Sequence, residues 1–243
     1  LAITNCLNFG NPENQEIMGE FAECLEGVKE ACNFLNYPVV SGNVSFYNGT
    51  NKKNIFPTPV IGGIGLIKKL SKPISHNFKE NNSTLILIGK TFGHIEQSCF
   101  LKENYSITEG KPLEVNLLNE KNNGESLLML IDKNLILSAH DISSGGLITA
   151  LCEMTLTSDF GAKIHKPKKL TNLFKYFFGE DQARYIIEIE ENNLSKVKKS
   201  LIDNGVFFEN IGFTQKGYLE IDGELKISTK DLFKINNEWY NSY

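Results

Sequence analysis

The chain has 243 residues, of which 41% are hydrophobic and 22% charged, and its formal net charge is -4. This composition excludes wholesale disorder, and the length is that of one or two domains. The acidic balance disfavours a nucleic-acid binder that neutralises phosphates, and the sequence shows neither an apolar run long enough to cross a bilayer nor a secretory signal.

The five cysteines are odd in number and irregularly spaced, and no Cys-x-x-Cys pair occurs among them. Neither a zinc site nor a redox motif is therefore predicted, and a reducing, cytoplasmic compartment is expected. Cys24 and Cys32 fall on a helical pattern, where we expect them to be small buried hydrophobic residues.

After an opening strand, the first predicted element is a long helix over residues 11–37. Its apolar residues recur every three or four positions and form one stripe. The members of this stripe are Ile17, Phe21, Leu25, Val28, Cys32 and Leu35. Asn11, followed by Pro12 and Glu13, is predicted to cap the helix, because an amide cap, an early proline and an early acid all favour a helix start.

Two strands are predicted after the helix. A short buried strand covers residues 38–41 and leads into a polar, glycine-containing stretch, and a second strand covers residues 60–67. Residues 68–82 are polar and aperiodic, so we place a domain boundary near residue 76. The predicted domains are residues 1–75 and 76–243.

The second domain alternates strands and helices, which predicts an α/β or α+β fold. Strands are predicted at 84–88, 135–139 and 184–189, and helices at 125–132, 145–157, 194–203 and 231–243. Two further strands, 207–214 and 218–227, flank Gln215-Lys216-Gly217 and are predicted to form a hairpin.

Two polar segments of the first domain are candidates for ligand binding. Residues 5–13 run from a strand into an asparagine-rich loop at a helix N-terminus, which is typical of an anion site, although such asparagines equally serve as caps and turns. Further along, Gly42 allows close backbone approach, and Asn43 and Ser45 alternate across Val44, so that both can point one way while Val44 anchors into the core. Their oxygens suit magnesium shared with a phosphate, and the alternative is an ordinary polar loop.

The second domain carries a possible phosphate cradle, in which a His-Asp pair, two hydroxyls and two glycines open a helix. Its members are His140, Asp141, Ser143, Ser144, Gly145 and Gly146. A structural or phosphate-positioning role is favoured over catalysis by His140, because a catalytic dyad needs convergence in space. Arg184 is the only arginine; it could clamp an anion, but a surface salt bridge with Glu180 or Asp181 is the favoured interpretation.

These motifs together resemble the large subunit of phosphoribosylformylglycinamidine synthase. The resemblance rests on Asn5-Cys6-Leu7-Asn8-Phe9-Gly10-Asn11-Pro12-Glu13, on residues 30–33, 38–48 and 57–61, and on His140-Asp141, Gly145-Gly146-Leu147 and Gly179-Glu180. The chain begins at Leu1 within a predicted strand and is similar to the C-terminal portion of a longer family chain. The implied fold is a PurM-like two-domain unit, in which an incomplete dimerisation-type N-terminal domain precedes an α/β C-terminal domain.

The resemblance implies an ATP-dependent ligase of purine biosynthesis that uses Mg²⁺. Such an enzyme converts formylglycinamide ribonucleotide and glutamine-derived ammonia to formylglycinamidine ribonucleotide, with release of ADP and phosphate. By the same resemblance, Asn5 and Gly42 would contact ATP, Asn43 would bind magnesium, and Ser45 would contact the ribonucleotide. The family usually has an aspartate at the position of Asn5, and an amide brings no negative charge there.

No catalytic residue is expected in this segment, and alone it is predicted to be inactive. The implied partners are the N-terminal half of the enzyme, a glutaminase subunit of the PurQ type and a small PurS-type subunit. The His140–Gly146 loop and Arg184 would lie near a second, non-catalytic nucleotide or phosphate position. Two alternatives remain: another ATP-using enzyme of the superfamily, such as aminoimidazole ribonucleotide synthetase, selenophosphate synthetase or thiamine-phosphate kinase, and a non-catalytic structural half.

Overall fold

The computed structural model describes residues 1–67, 73–168 and 172–241. The chain forms two compact units, Leu1–Lys72 and Pro73–Tyr243. The predictions made for residues 68–72, and for the last two residues of the tail helix, lie outside the described residues. Among the described helices, none combines the length and the apolar character that a membrane span requires.

The first unit is a small sheet beside one long helix. Its elements are β1 (Ala2–Asn8), α1 (Gln15–Leu35), β2 (Val39–Ser45), β3 (Gly49–Thr50), β4 (Lys53–Asn54) and β5 (Thr58–Ile64). β1 is the central strand, parallel to β2 and antiparallel to β5, and β3 pairs with β4. Leu7 and Phe9 are buried against Ile17 of α1, so the helix covers one face of β1.

Helix α1 is capped by Asn14, whose side chain accepts the N–H of Glu16, and not by Asn11 as predicted. The Asn11 Oδ1 instead accepts the N–H of Glu13 at 2.9 Å and closes a turn before the helix. The prediction was wrong because asparagine stabilises turns and caps by the same bond to a nearby N–H. The helix ends at Asn36, which is left-handed with φ of 53°.

The strand predicted as buried at 38–41 is exposed throughout and longer, because β2 continues to Ser45. β2 and β5 are the edge strands of this sheet, and every residue of both is exposed within the chain. Cys24 and Cys32, which were expected to be buried, are only partly so. Among residues 1–67, burial is therefore confined to β1, the two residues that follow it and the adjacent part of α1.

The second unit is a seven-stranded sheet between helices. Its strands are β6 (Thr84–Ile88), β7 (Ser138–Asp141), β8 (Phe160–Ile164), β9 (Tyr185–Ile189), β10 (Phe208–Lys216), β11 (Tyr218–Ile221) and β12 (Leu225–Ser228). Its helices are α2 (Cys99–Tyr105), α3 (Leu117–Asp132), α4 (Gly146–Leu156), α5 (Leu173–Phe178), α6 (Glu191–Asp203) and α7 (Thr229–Asn241). The strand order is β12-β11-β8-β10-β6-β9-β7.

The core of this unit lies on both faces of β6 and β9. Leu85 and Leu87 of β6 belong to the cluster that contains the buried side chains of α4 and α5. Ile86 and Ile88 belong to the cluster that contains those of α3 and α6. The sequence also predicts an alternating pattern for residues 184–189, and this was wrong, because β9 is covered on both faces and four of its five residues are buried. The α/β fold predicted for the second domain is confirmed.

The hairpin predicted around Gln215-Lys216-Gly217 does not form. β8 lies between β10 and β11, antiparallel to the first and parallel to the second, and the hairpin is made by β11 and β12. β8, α2 and α5 were not predicted from the sequence, and without β8 two consecutive strands with a glycine between them are expected to pair with each other. The helix predicted at 125–132 is the second half of α3, and the strand predicted at 135–139 is shifted to β7.

Candidate functional site

A cavity of about 410 Å³ opens on the three-stranded sheet of the first unit, and we call it the Asn43 cavity. Its lining residues are Thr4, Asn5, Cys6, Ser41, Gly42, Asn43, Val60 and Gly62. Three of the four residues implied by the resemblance, namely Asn5, Gly42 and Asn43, are thus brought together. Ser45, the fourth, lies farther along β2 and does not line the cavity.

The pairing register places these residues on two faces of the sheet. Cys6 of β1 is paired with Asn43 of β2, and Asn5 is paired with Gly42. Because successive side chains of a strand alternate, Asn5 shares the face of Leu7, which packs on α1, and Asn43 lies on the opposite face. The cavity therefore receives the amide of Asn43 but the backbone, rather than the side chain, of Asn5.

Gly42 has a structural reason to be glycine. A β-carbon at this position would collide with the Oδ1 of Asn5 and would lie 2.7 Å from its Cγ. The close approach predicted at Gly42 is therefore an approach of the Asn5 side chain to the backbone of β2. Within this chain, the two residues predicted to contact ATP contact each other.

Asn43 and Ser45 share a face of β2, but their surroundings differ. The Ser45 Oγ accepts a hydrogen bond from Nδ2 of Asn48 at 3.2 Å, and the same amide donates to the Ser45 carbonyl at 2.9 Å. Within the described parts of the chain, the exposed Asn43 amide makes no hydrogen bond to the protein. Val44, between them, is 47% exposed, so its predicted anchoring in the core was wrong because β2 is an edge strand.

The oxygens of the Asn43 cavity fit magnesium in part. Asn43 offers an amide oxygen, and Ser41 and Thr4 offer hydroxyl oxygens, all of which are hard ligands. The lining contains no carboxylate, and no group of three or more His, Cys, Asp or Glu among residues 1–67, 73–168 and 172–241 could hold a metal. A magnesium ion at Asn43 would therefore need the negative charge of phosphate oxygens.

The His-Asp pair of the second unit does not form a dyad aimed at a cavity. The His140 Nε2 lies 3.1 Å from an Oε2 of Glu153 on α4, and its Nδ1 lies 3.3 Å from Oδ1 of Asp141 without hydrogen-bond geometry. The His76 ring contacts the His140 ring edge to face, with centroids 5.3 Å apart. The imidazole thus links β7 to α4, which is the structural role that the sequence favoured.

The predicted phosphate cradle already holds a carboxylate. The Glu180 Oε1 accepts the N–H of Gly145 at 2.7 Å and the N–H of Cys99 at 2.8 Å, at the starts of α4 and α2. The N–H of Gly146 donates to the carbonyl of Ser143 at 3.1 Å. A helix N-terminus favours negative charge, and Glu180 supplies it from within the chain.

Arg184 is buried, so its predicted surface salt bridge was wrong. Its guanidinium donates to the carbonyls of Asp181 and Gly179, at 3.0 and 2.6 Å, and to the Thr91 Oγ1 at 3.1 Å. Burial lowers the pKa of Arg184, and the nearby Asp181 carboxylate, 3.9 Å away, opposes that shift. The arginine therefore holds the loop before β9 and has no exposed donor for a ligand.

Asp181, in the same loop before β9, has a structural role that was not predicted from the sequence. Its two carboxylate oxygens accept three consecutive backbone N–H groups, those of Phe92, Gly93 and His94, at 2.8–3.1 Å. Three N–H groups on one carboxylate form an anion nest that the protein fills itself. No sequence signal indicated contact between two segments this far apart.

Ser41, which lines the Asn43 cavity, could by contrast have been predicted from the sequence, because it follows the same strand alternation as Asn43 and Ser45.

A small sheet unit followed by an α/β unit, with a polar cavity on the exposed face of the small sheet, defines a two-domain protein of the PurM-like type. The chain belongs to the AIR synthase related proteins. The family model of their C-terminal domain matches residues 80–222, and that of their N-terminal domain matches residues 1–67. The PurM-like fold predicted from the sequence is thereby confirmed.

Curated relatives match this chain over its whole length. The chain is 50% identical to a phosphoribosylformylglycinamidine synthase subunit PurL of Pelagibacter ubique and 42% identical to one of Rhodopseudomonas palustris strain HaA2, and covers 33% of each. The predicted resemblance to the large subunit of that enzyme is confirmed, and the chain spans about one third of the length of these relatives.

Solved structures show the same fold at low sequence identity. T. maritima PurL complexed with FGAR superposes with a TM-score of 0.73 at 16% identity, over 96% of this chain and 39% of that one. T. maritima PurL complexed with ATP gives a TM-score of 0.67 at 13% identity, over 96% and 37%. The HypE-HypF complex gives 0.62 at 12% identity, over 94% and 76%. The two-unit fold is thus shared with proteins that differ in name.

Proposed function

We propose that this chain is part of a phosphoribosylformylglycinamidine synthase, a C–N ligase with glutamine as amide donor. The enzyme would convert formylglycinamide ribonucleotide, ATP and ammonia to the amidine, ADP and phosphate. An amide oxygen is a poor leaving group, so ATP would phosphorylate it before ammonia displaces phosphate. The observation that carries the proposal is the 50% identity, over all 243 residues, to a relative of that name.

Within this enzyme, we propose that the chain supplies one wall of the nucleotide and substrate site, on residues 1–75. The unpartnered Asn43 amide in the cavity supports a polar ligand there, because a strand residue that is exposed beside a cavity can bind without breaking a bond. Gly42 and Asn5 would contact ATP through their backbone at the cavity floor. Ser45, held by Asn48, would present its hydroxyl to the ribonucleotide farther along the same face.

Magnesium, when bound, would neutralise the charge of the triphosphate. Asn43 would hold it with one amide oxygen, and the neutral lining leaves the phosphates as its main charge partners. No residue of this chain is proposed as a general base.

The partners are proposed from the relatives. Those relatives are named as a subunit, and a solved structure of PurLQS from Thermotoga maritima contains a chain with this fold. We propose that the chain works with the N-terminal half of the enzyme, a PurQ-type glutaminase and a PurS-type subunit, in the cytoplasm. The second nucleotide or phosphate position near His140, Gly146 and Arg184 stays a prediction, and it would require Glu180 to release Gly145.

A chimera tests the proposed function. The corresponding third of the Pelagibacter ubique relative is replaced by this chain, and amidine formation is measured with ATP, ammonia and the ribonucleotide. We expect turnover in the chimera, none in this chain alone, and a large loss in the chimera carrying Asn43→Leu. Asn33→Leu, a change on the exposed surface of α1, is the matched control and should retain turnover.

Three outcomes would contradict the proposal. A chimera that folds and assembles but forms no amidine would favour a non-catalytic structural half. Full turnover by the Asn43→Leu chimera would remove the Asn43 cavity from the active site. Turnover with the substrate of aminoimidazole ribonucleotide synthetase in place of formylglycinamide ribonucleotide would favour the other superfamily enzyme.

A further inference from the structure

A second cavity, of about 130 Å³, lies within the second unit at the end of β6, and we call it the Lys90 cavity. Neither the resemblance nor the proposed function uses it. The residues of its lining that matter here are Gly89, Lys90, Asn119, Asn122, Gln182 and Phe207. They come from four places in the sequence, namely the turn after β6, the first half of α3, the segment that precedes β9 and the segment that precedes β10.

Left-handed backbone is concentrated around this cavity. Gly89, Ala183 and Gly205 all line it and have φ values of 90°, 56° and 66°. The N–H groups of Gly89 and Gly205 donate to the carbonyls of Phe207 and Ile202, both at 2.9 Å, so the donors left for a ligand are the side-chain groups of the lining. Ala183 is the unusual member, because it has a β-carbon in a conformation that L-residues rarely adopt.

Ala183 is held in that conformation from both sides. Its carbonyl accepts a hydrogen bond from Nδ2 of the buried Asn123 on α3 at 2.8 Å. Gly89 packs so closely that a β-carbon on it would collide with the Ala183 carbonyl. Strained residues that the surrounding structure fixes in this way cluster at ligand sites.

The charge and polarity of the lining select the type of ligand. Lys90 is the one charged residue among those that line the cavity, and the amides of Asn119, Asn122 and Gln182 add neutral donors. The Lys90 Nζ lies 5.8 Å from the centroid of the Phe207 ring, at the edge of the same cavity. The described lining residues include no carboxylate, and an ammonium group with amide N–H donors suits an oxyanion.

The size of the cavity limits the ligand further. Its 130 Å³ is the space of about four water molecules. Such a volume accommodates one tetrahedral oxyanion with some of its hydration, but not a whole nucleoside triphosphate. A larger ligand could enter only with its terminal phosphoryl group.

We propose that the Lys90 cavity binds an oxyanion of the size of orthophosphate, through the ammonium group of Lys90 and the amides of Asn122 and Gln182. This inference is independent of the proposed function, since it uses no residue of the Asn43 cavity. The ligand would be either the free ion or the terminal phosphoryl group of a nucleotide.

The test is a titration of the full chain with orthophosphate, followed by calorimetry and by amide chemical shifts of the residues that line the cavity. We expect saturable binding with shifts at Asn122 and Gln182. Lys90→Gln should weaken it about tenfold or more, as expected for loss of a charge-assisted hydrogen bond, while Lys90→Arg should retain most of it. Lys133→Gln, at the far end of α3, is the matched control and should bind like the unchanged chain.

Further variants separate this site from the proposed nucleotide site. Asn122→Leu should weaken orthophosphate binding although the charge of Lys90 is kept, and Asn43→Leu should leave orthophosphate binding unchanged. If ADP competes with orthophosphate in a Lys90-dependent manner, the source is a nucleotide; if it does not, the source is the free ion. No saturable binding by the unchanged chain, or equal affinity in a Lys90→Gln variant with an unchanged circular dichroism spectrum, would overturn the proposal.

Discussion

The side-chain amide of Asn5 occupies the space that a β-carbon on Gly42 would need, and the two residues are direct partners in the pairing of β1 with β2. We expect Gly42→Ala to destabilise the first unit by about 1–3 kcal/mol, the usual cost of over-packing. Urea unfolding, followed by a probe in α1, measures the effect. Gly65→Ala is the control, because its added β-carbon has no atom within 4 Å.

A second variant shows whether Asn5 is the cause. The atoms that the new β-carbon would meet are Oδ1, Cγ and Nδ2 of Asn5, all of which Asn5→Ala removes. The double variant Asn5→Ala with Gly42→Ala should therefore be more stable than Gly42→Ala alone, as a double-mutant cycle for residues in contact. Additive losses would show that the collision is relieved elsewhere.

The Glu180 carboxylate is expected to stabilise the starts of two helices at once. Glu180→Ala removes the acceptor of the Gly145 and Cys99 N–H groups, and should lower the free energy of unfolding by about 1.5–3 kcal/mol, the range for hydrogen bonds to a charged group. Glu180→Gln keeps an oxygen and should cost less. Hydrogen exchange should become faster at these two amides in Glu180→Ala.

The exposed Glu114 provides the matched control for this carboxylate. It forms only a 3.7 Å ion pair with Lys111, with both side chains largely exposed. Such pairs contribute little, so Glu114→Ala should leave stability and exchange unchanged. Unchanged exchange at Gly145 in Glu180→Ala would show that the carboxylate is not needed there.

Local sequence patterns were sufficient to predict strands and helices whose signals lie in consecutive residues. The strand at 84–88 was located correctly and α4, α6 and α7 nearly so, because hydrophobic runs and helix ends are written in consecutive residues. The position of β8 between β10 and β11 was not predictable in this way, because a crossover joins segments that share no local signal.

The same distinction between local patterns and tertiary contacts applies to the candidate site. Strand alternation was enough to place Asn43 and Ser45 on one face, since period two is a local property. The burial of Arg184 and the filling of the Gly145 cradle by Glu180 depend on contacts between the loop before β9 and segments that are distant in sequence. Such tertiary contacts decide whether a charged side chain is exposed to solvent or bonded to backbone groups of its own chain. The sequence of Arg184 and Glu180 was therefore compatible with both a ligand-binding role and a structural role.

Glu188 is expected to make the stability of the second unit depend on pH. Its buried carboxylate accepts N–H bonds from Lys79 and Glu80, and the Ser138 hydroxyl at 2.7 Å. Burial raises the pKa of Glu188 above its ordinary value, and these hydrogen bonds oppose the shift. Because the folded state binds the proton more tightly, this contribution to stability is present below the ordinary glutamate pKa and is lost as pH rises through the raised pKa.

The matched comparison for this pH effect is Glu188→Gln, which does not titrate. Glutamine leaves part of the donor set unpaired and should be less stable by about 1–3 kcal/mol at pH 5. The difference in stability between the two chains should narrow as pH rises above the ordinary glutamate pKa, because only the unchanged chain loses the contribution of Glu188. Urea midpoints at several pH values measure it, and the exposed Glu125→Gln provides the control. A gap that widens with pH would contradict the direction of the shift.

Arg184 is expected to be required for folding of the loop before β9. Arg184→Ala leaves the carbonyls of Gly179 and Asp181 without their donors inside the protein, and should cost about 3–5 kcal/mol, as for breaking a buried charged network. Arg184→Lys keeps the positive charge, but a single ammonium group cannot reach all three acceptors. The free energy of unfolding of this variant should therefore lie between those of the unchanged chain and Arg184→Ala. The urea midpoint and hydrogen exchange at Gly93 measure the loss, with Lys196→Ala on the exposed face of α6 as control. An Arg184→Ala chain with an unchanged urea midpoint would show that these hydrogen bonds do not stabilise the loop.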